Sequence, residues 1–227
     1  LSAPCEEVID ATGCYLLPGI IDDHVHFRDP GLTHKADILT ESRAAAAGGV
    51  TSIMDMPNTN PLTVTLDALN AKLDLLNEKC IVNHSCYFGA TNNNYTEFDK
   101  LDKHRVCGIK LFMGSSTGNM LVDKMNSLLN IFNGTDMLIA AHCEDQETIK
   151  NNIEKYKQKY KGADDIPVSA HPSIRSVPAC YASSELAVRL AKIAGARLHI
   201  LHVSTAKELQ LFSDEPLANK NITAEAC

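Results

Sequence analysis

The sequence predicts an α/β fold, a TIM (β/α)8-type barrel that is incomplete, with about seven of its eight strands present. Three observations carry this prediction. Short, near-continuous apolar runs alternate with longer stretches of helical spacing, the rhythm of a parallel sheet covered by helices. Seven such runs can be counted: Leu17–His26, Val50–Asn58, Asn83–Ala90, Gly108–Gly114, Met137–Asp145, Arg197–Ser204 and Ile222–Cys227. Finally, His24, His26, Asn58, Lys110, His142 and His202 fall at or near the C-terminal ends of different runs. Rhythm alone fits a doubly wound sheet equally well. A barrel gathers residues from many strand ends into one mouth, whereas an open sheet places its chemistry beside one switch point. The spread of polar residues over several strand ends therefore favours the barrel.

Each apolar run suits a strand buried on both faces. Helices fit between them. Lys35–Ala47 is stopped by Gly48-Gly49, a C-terminal signal. Thr65–Lys79 carries Leu66, Leu69, Leu73 and Leu76 at helical spacing. Val177–Ala194 has Pro178 in its first turn and Gly195 just past its end. Thr205 with Glu208 reads as a capping box opening a further helix. The Lys-rich stretch Asn151–Asp165 reads as a solvated helix and loop. The opening run Val8-Ile9-Asp10-Ala11-Thr12-Gly13 reads as the end of a strand from a preceding element.

Bulk properties narrow the function classes. The 227 residues suffice for one sizeable domain or two small ones, and 44% are hydrophobic. The net charge of −7, without any run of Lys and Arg, argues against a nucleic-acid partner or an anionic membrane. An anionic substrate would then have to meet a locally built positive site. No apolar run is long enough to span a bilayer, and no basic stretch followed by an apolar one opens the sequence. The eight cysteines form no CxxC, and several sit in apolar runs. Free, buried thiols in a cytoplasmic protein are expected rather than a disulfide framework.

His24-Val25-His26 ends the first strand. Residues two apart in a strand face the same side, so two imidazoles can grip one metal ion. Taken alone, the motif is equally a hydrogen-bonded pair. His142 closes Met137-Leu138-Ile139-Ala140-Ala141, and His202 follows Leu198-His199-Ile200-Leu201. An unpartnered polar group at such places is costly, and four histidines at three strand ends point to a shared ligand. His199 is expected on the opposite side from His202, in a structural or supporting role. His34, His84, His104 and His171 lack this context. Lys110 lies inside Gly108-Ile109-Lys110-Leu111-Phe112-Met113. Such a lysine either snorkels, pairs with a carboxylate, or is held neutral by burial. A neutral amine can add carbon dioxide and become a carbamate, a carboxylate-like anion able to bridge two metals.

Together these residues resemble a known family. Val8–Gly13 followed by Leu17-Pro18-Gly19-Ile20-Ile21-Asp22-Asp23-His24-Val25-His26 is similar to the entry signature of the amidohydrolase superfamily. His26-Phe27-Arg28-Asp29-Pro30-Gly31 and Met56-Pro57-Asn58-Thr59-Asn60-Pro61 resemble the dihydroorotase motifs within it, at places where hydantoinases and allantoinases usually differ. Ala141-His142-Cys143-Glu144 and Leu198–Thr205 resemble its fifth- and sixth-strand histidine motifs. The resemblance implies two zinc ions, one held by His24 and His26, the other by His142 and His202, with carboxylated Lys110 between them. Met113-Gly114-Ser115-Ser116 offers no carboxylate as an alternative bridge. Cobalt and manganese also suit such mixed donor sets. The resemblance further implies an eighth-strand aspartate that shuttles protons. The chain stops at Cys227 on the seventh strand, so no catalytic acid–base residue is assigned. On this reading residues 1–16 are the remnant of an N-terminal β-sandwich flank, and residues 17–227 are the metal-dependent hydrolase barrel.

The expected activity is interconversion of dihydroorotate and N-carbamoyl-aspartate in pyrimidine biosynthesis, with Arg28 and Asn58 holding the substrate carboxylate. The expected partner is this small molecule, and a homodimer is left open. Three alternatives stand beside it. One is another cyclic amidohydrolase, a dihydropyrimidinase (hydantoinase) or allantoinase, whose rings lack that carboxylate. Another is an inactive homologue that assembles with a pyrimidine-pathway transcarbamoylase. The last is a metal-binding barrel without turnover.

Overall fold

Every expected apolar run forms a strand. A computed structural model describes residues 7–114, 120–161 and 164–226. Within them β1 (Ile20–Val25), β2 (Val50–Asp55), β3 (Asn83–Gly89), β4 (Val106–Phe112), β5 (Ile139–His142), β6 (Leu198–Val203) and β7 (Ile222–Ala226) form one parallel sheet in sequence order. Laid flat, six strand spacings would separate β1 from β7 by about 29 Å. Yet His24 at the end of β1 meets Glu225 of β7 at 2.5 Å. The sheet is therefore curled into most of a barrel. The strands are shorter than the apolar runs, so His26 and Asn58 lie just past the ends of β1 and β2. Residues 1–6, Ser115-Ser116 and Cys227 lie outside the described residues.

Helices α1 (Ile38–Ala47), α2 (Leu66–Lys79), α3 (Met125–Asn133), α4 (Gln146–Lys159), α5 (His171–Ile174) and α6 (Val177–Ala194) connect the strands. The Asp37 side chain accepts from the Thr40 N–H at 2.9 Å, so α1 starts at Ile38 rather than at Lys35. The Thr65 hydroxyl caps α2 in the same way. Gly195 closes α6 at φ +66°, and a Cβ there would meet no atom within 4 Å; glycine is needed for its left-handed backbone and not for space.

Burial divides into two layers. Between strands and helices, Ile53, Ile109, Leu111 and Ile139 pack with Leu76 and Ile131, all fully buried. A smaller cluster of Met56, Tyr87, Ala140 and Leu201 fills the inside of the curl, and the Tyr87 hydroxyl donates to the Asp23 carbonyl at 3.0 Å. A buried ion pair joins the layers at β2. Lys72 of α2 reaches Asp55 at 2.9 Å and donates to the Met56 carbonyl at 2.6 Å. The other Asp55 oxygen accepts from the Phe27 N–H at 3.0 Å, so the segment leaving β1 is pinned to β2.

Some elements differ from expectation. Helix α3 was not anticipated, because Asn126, Asn130 and Asn133 are poor helix formers; burial of Leu128, Ile131 and Phe132 outweighs that cost. The capping box at Thr205 does not form. Glu208 is buried and takes bonds from the Ser184 and Thr205 hydroxyls at 2.6 and 2.8 Å, and Ala206–Leu211 is a 3-10 turn. The run Val8–Gly13 is exposed and has no strand partner among the described residues, with Asp10 bonded to Thr12 in a tight turn.

Candidate metal centre

The four singled-out histidines converge at the C-terminal end of the sheet. The ring centroids of His24 and His26 are 5.3 Å apart, those of His24 and His202 5.4 Å, and those of His142 and His202 4.8 Å. His142 Nδ1 and His202 Nε2 face each other at 3.0 Å. Lys110 lies in this group: it pairs in register with Ala140 of β5, and its ammonium is 4.6 Å from the Phe112 ring centroid. A cavity of about 400 Å³ opens beside His142 and His202, lined also by Glu144, His171, Arg175 and Ser204. His171, which the sequence left aside, thus borders the site.

Electrostatics follow from the crowding of basic groups in a dry place. Burial pushes the His26 imidazole down to about 3, and the charges of Arg28, His24 and Lys110 push the same way, against a hydrogen bond that the protonated ring can donate to the Asn58 side chain. Burial likewise brings His202 down to about 4, helped by His142 and Lys110. Burial lowers the Lys110 ammonium to about 7, so near neutral pH its amine is substantially uncharged.

Arg28 and Asn58 both stand next to His26. Strand alternation is not what brings Arg28 there. β1 ends at Val25 and Arg28 has a left-handed backbone, φ 63°. Gly31 follows at φ +82°, where a Cβ would overlap the Asn60 carbonyl at 1.9 Å, so the segment after β1 lies directly against the one after β2. His199 has a supporting place, bonded to Thr223 and Glu225. His202 has φ 42°, and the β6–β7 register slips between Ile200 and Val203. Glu225 is approached by the His199 ring and by the His202 backbone N–H.

A family model described as dihydro-orotase-like matches residues 13–208. The chain belongs to that family. A dihydroorotase of Listeria innocua is 32% identical over 96% of this chain and 50% of its own length. An allantoinase of Deinococcus radiodurans is 28% identical over 100% and 51%. Among solved structures, an L-hydantoinase (dihydropyrimidinase) of Arthrobacter aurescens superposes with a TM-score of 0.90 at 28% identity, over 99% of this chain and 50% of that one. The chain therefore spans about half the length of the relatives it matches.

Within this dihydro-orotase-like chain, the donor set suits a divalent ion. His26 Nδ1 is buried without a hydrogen-bond partner among the described residues. The 3.0 Å between His142 Nδ1 and His202 Nε2 is close to the roughly 3.3 Å that two zinc–nitrogen bonds at a tetrahedral angle would give. Two carboxylates escaped the sequence reading. Glu144 lies 3.1 Å from His142 Nε2 and is also bonded by Arg175. Burial raises its pKa, but the bonds from His142 and Arg175 outweigh that and hold it below the usual range. Glu225 lies 2.5 Å from His24 Nδ1, and its bonds to His199, His24 and the His202 backbone hold it far below the usual range despite burial. Glu144 stands two residues after His142, and Glu225 alternates with Thr223 in β7, which is signal enough to have found both. Arg175 carried none.

Proposed function

We propose that this chain forms the metal-binding part of a dihydroorotase, which interconverts dihydroorotate and N-carbamoyl-aspartate. The observation that carries this reading is one group of residues. Buried Lys110 stands among four converging imidazoles, and Arg28 and Asn58 lie beside His26. In this reading His24 and His26 hold one zinc ion, His142 and His202 hold a second, and Lys110, as its carbamate, lies between. Bound zinc would supply an acidified water and a polarised carbonyl, which hydrolysis of a cyclic amide at neutral pH requires.

The chain's own residues do the rest. Burial keeps the Lys110 amine available for carbamate formation near pH 7. The Arg28 guanidinium can hold the substrate carboxylate through two parallel hydrogen bonds, and the Asn58 amide can donate another. A dedicated cation is needed because the chain's net charge is −7. The six described cysteines are free thiols, which suits a reducing compartment such as the cytoplasm, and no helix among the described residues is long and apolar enough to cross a membrane.

The similarity to an L-hydantoinase and an allantoinase favours a second reading, hydrolysis of a ring without the carboxylate. Arg28→Lys in the full-length protein separates the two. A point charge cannot reproduce the planar fork, and loss of a buried charged partner costs about 2–5 kcal/mol, so kcat/KM for dihydroorotate should fall at least tenfold with metal content unchanged. Hydrolysis of dihydrouracil, which lacks the carboxylate, should barely change. Equal losses on both rings would give Arg28 a structural role and withdraw the support for dihydroorotate.

A further inference from the structure

Glu144 and Glu225 sit on different nitrogens of their two histidines. Glu144 Oε2 faces His142 Nε2 at 3.1 Å. Glu225 Oε1 faces His24 Nδ1 at 2.5 Å. An ionised carboxylate can only accept, so a neutral imidazole beside it carries its proton on the facing nitrogen. His142 is then left with its lone pair on Nδ1, and His24 with its lone pair on Nε2. The freed nitrogen of His142 is the one that meets His202 Nε2 at 3.0 Å.

Neither carboxylate is free to follow its ring. Arg175, from the segment between α5 and α6, holds the Glu144 oxygen that faces His142. Glu225 Oε1 also accepts from the His202 backbone N–H at 3.0 Å, and Oε2 lies 3.4 Å from His199 Nε2. His199 is in turn 2.8 Å from the Thr223 hydroxyl. Each carboxylate is thus fixed by a second element, and it can fix the ring.

Resting on the metal-centre reading above, the geometry points to Glu144 and Glu225 as positioning residues that set opposite tautomers. Glu144 makes His142 present Nδ1, Glu225 makes His24 present Nε2, and both rings are held facing the shared site. Such carboxylate–histidine pairs raise ligand basicity and fix ring orientation, and their loss commonly lowers metal affinity by about 10–100-fold. Glu225 does more than orient one ring. Through the His202 N–H it also braces the left-handed residue that turns the fourth imidazole inward, so β1, β6 and β7 are tied by one side chain.

The test uses the full-length protein labelled with 15N-histidine, first zinc-free and at a pH where the rings are neutral. Long-range 15N–1H spectra should show His142 protonated at Nε2 and His24 at Nδ1. Zinc titration should then give a Kd raised about 10–100-fold in Glu144→Gln and in Glu225→Gln. The zinc-free melting temperature of Glu144→Gln should match the parent, and any loss in Glu225→Gln, which also ties three strands, should be too small to account for its change in Kd. The opposite tautomer at either ring overturns the proposal. So does an unchanged zinc Kd, or a weakened affinity fully matched by a loss of zinc-free stability, as a merely structural role would give. The parent spectra decide the tautomers even where a variant fails to fold. A parent that shows both tautomers yet takes up no zinc would overturn the metal-centre reading, whereas reversed tautomers in a zinc-binding parent overturn the tautomer assignment alone.

Discussion

Lys110 shows how one residue links stability to chemistry. Burial holds its amine at about 7, against 10.5 for an ordinary lysine. Between those values the unfolded chain carries a proton that the folded one does not. The Lys110 penalty to the metal-free protein therefore shrinks from pH 7 to 10.5, and below pH 7 it remains in full. The buried thiols of Cys86, Cys107 and Cys143, pushed up to about 12, pull the other way above about pH 9, so urea unfolding in CO2-free buffer should show the lysine's share, a few kcal/mol, as the difference between the parent and Lys110→Ala. The same variant should lose zinc, and a short carboxylic acid in the medium should restore part of it. An unaltered zinc content would end the bridging role. This residue was legible in the sequence because a cation in an apolar strand is conspicuous. His202 was legible as a site candidate for the same reason. Its left-handed backbone was not, because a register slip between β6 and β7 depends on the partner strand.

At the scale of elements, the positions of β1 and β2 depend on a pair that the sequence did not reveal. Asp55 and Lys72 are fully buried and only 2.9 Å apart. Seventeen positions separate them along the chain, and nothing local marks Lys72, which falls on a helix rich in surface charge. Asp55 also holds the Phe27 N–H, one residue from His26. Lys72→Met leaves a buried carboxylate unpaired and should cost about 3–5 kcal/mol. The double variant Asp55→Asn/Lys72→Met should cost less than Lys72→Met alone, since no bare charge is then buried. Simple additivity in urea titrations would show that the two residues act independently. Strand limits were legible for a different reason. Gly, Pro and polar residues bracket each apolar run, and tertiary pairing only trimmed the ends. Helix α3 was missed because its asparagines speak locally for a loop while its buried face speaks only in three dimensions.

Across the whole molecule, the site joins residues from five strands or strand ends, so metal binding should report on the entire sheet. Zinc that binds only the folded state stabilises by about 4 kcal/mol at a thousandfold excess over Kd. A chelator should accordingly lower the Tm of the full-length protein by several degrees. Unchanged melting would place the ion, if bound, outside the folded core. The parallel order from β1 to β7 follows the sequence without a single exchange. That order has a consequence for the chain as it leaves the ribosome. Each new strand docks on the one made just before it, so the sheet can be laid down in the direction of translation. His24 and His26 emerge first, yet His142, His202 and Glu225 are among the later arrivals. On the proposed metal reading, three of the five ligands, His24, His26 and Lys110, precede β5, and zinc would be gripped in full only after β6 has docked. A nascent chain that is halted before Leu198 would carry the sheet's beginning and no complete site.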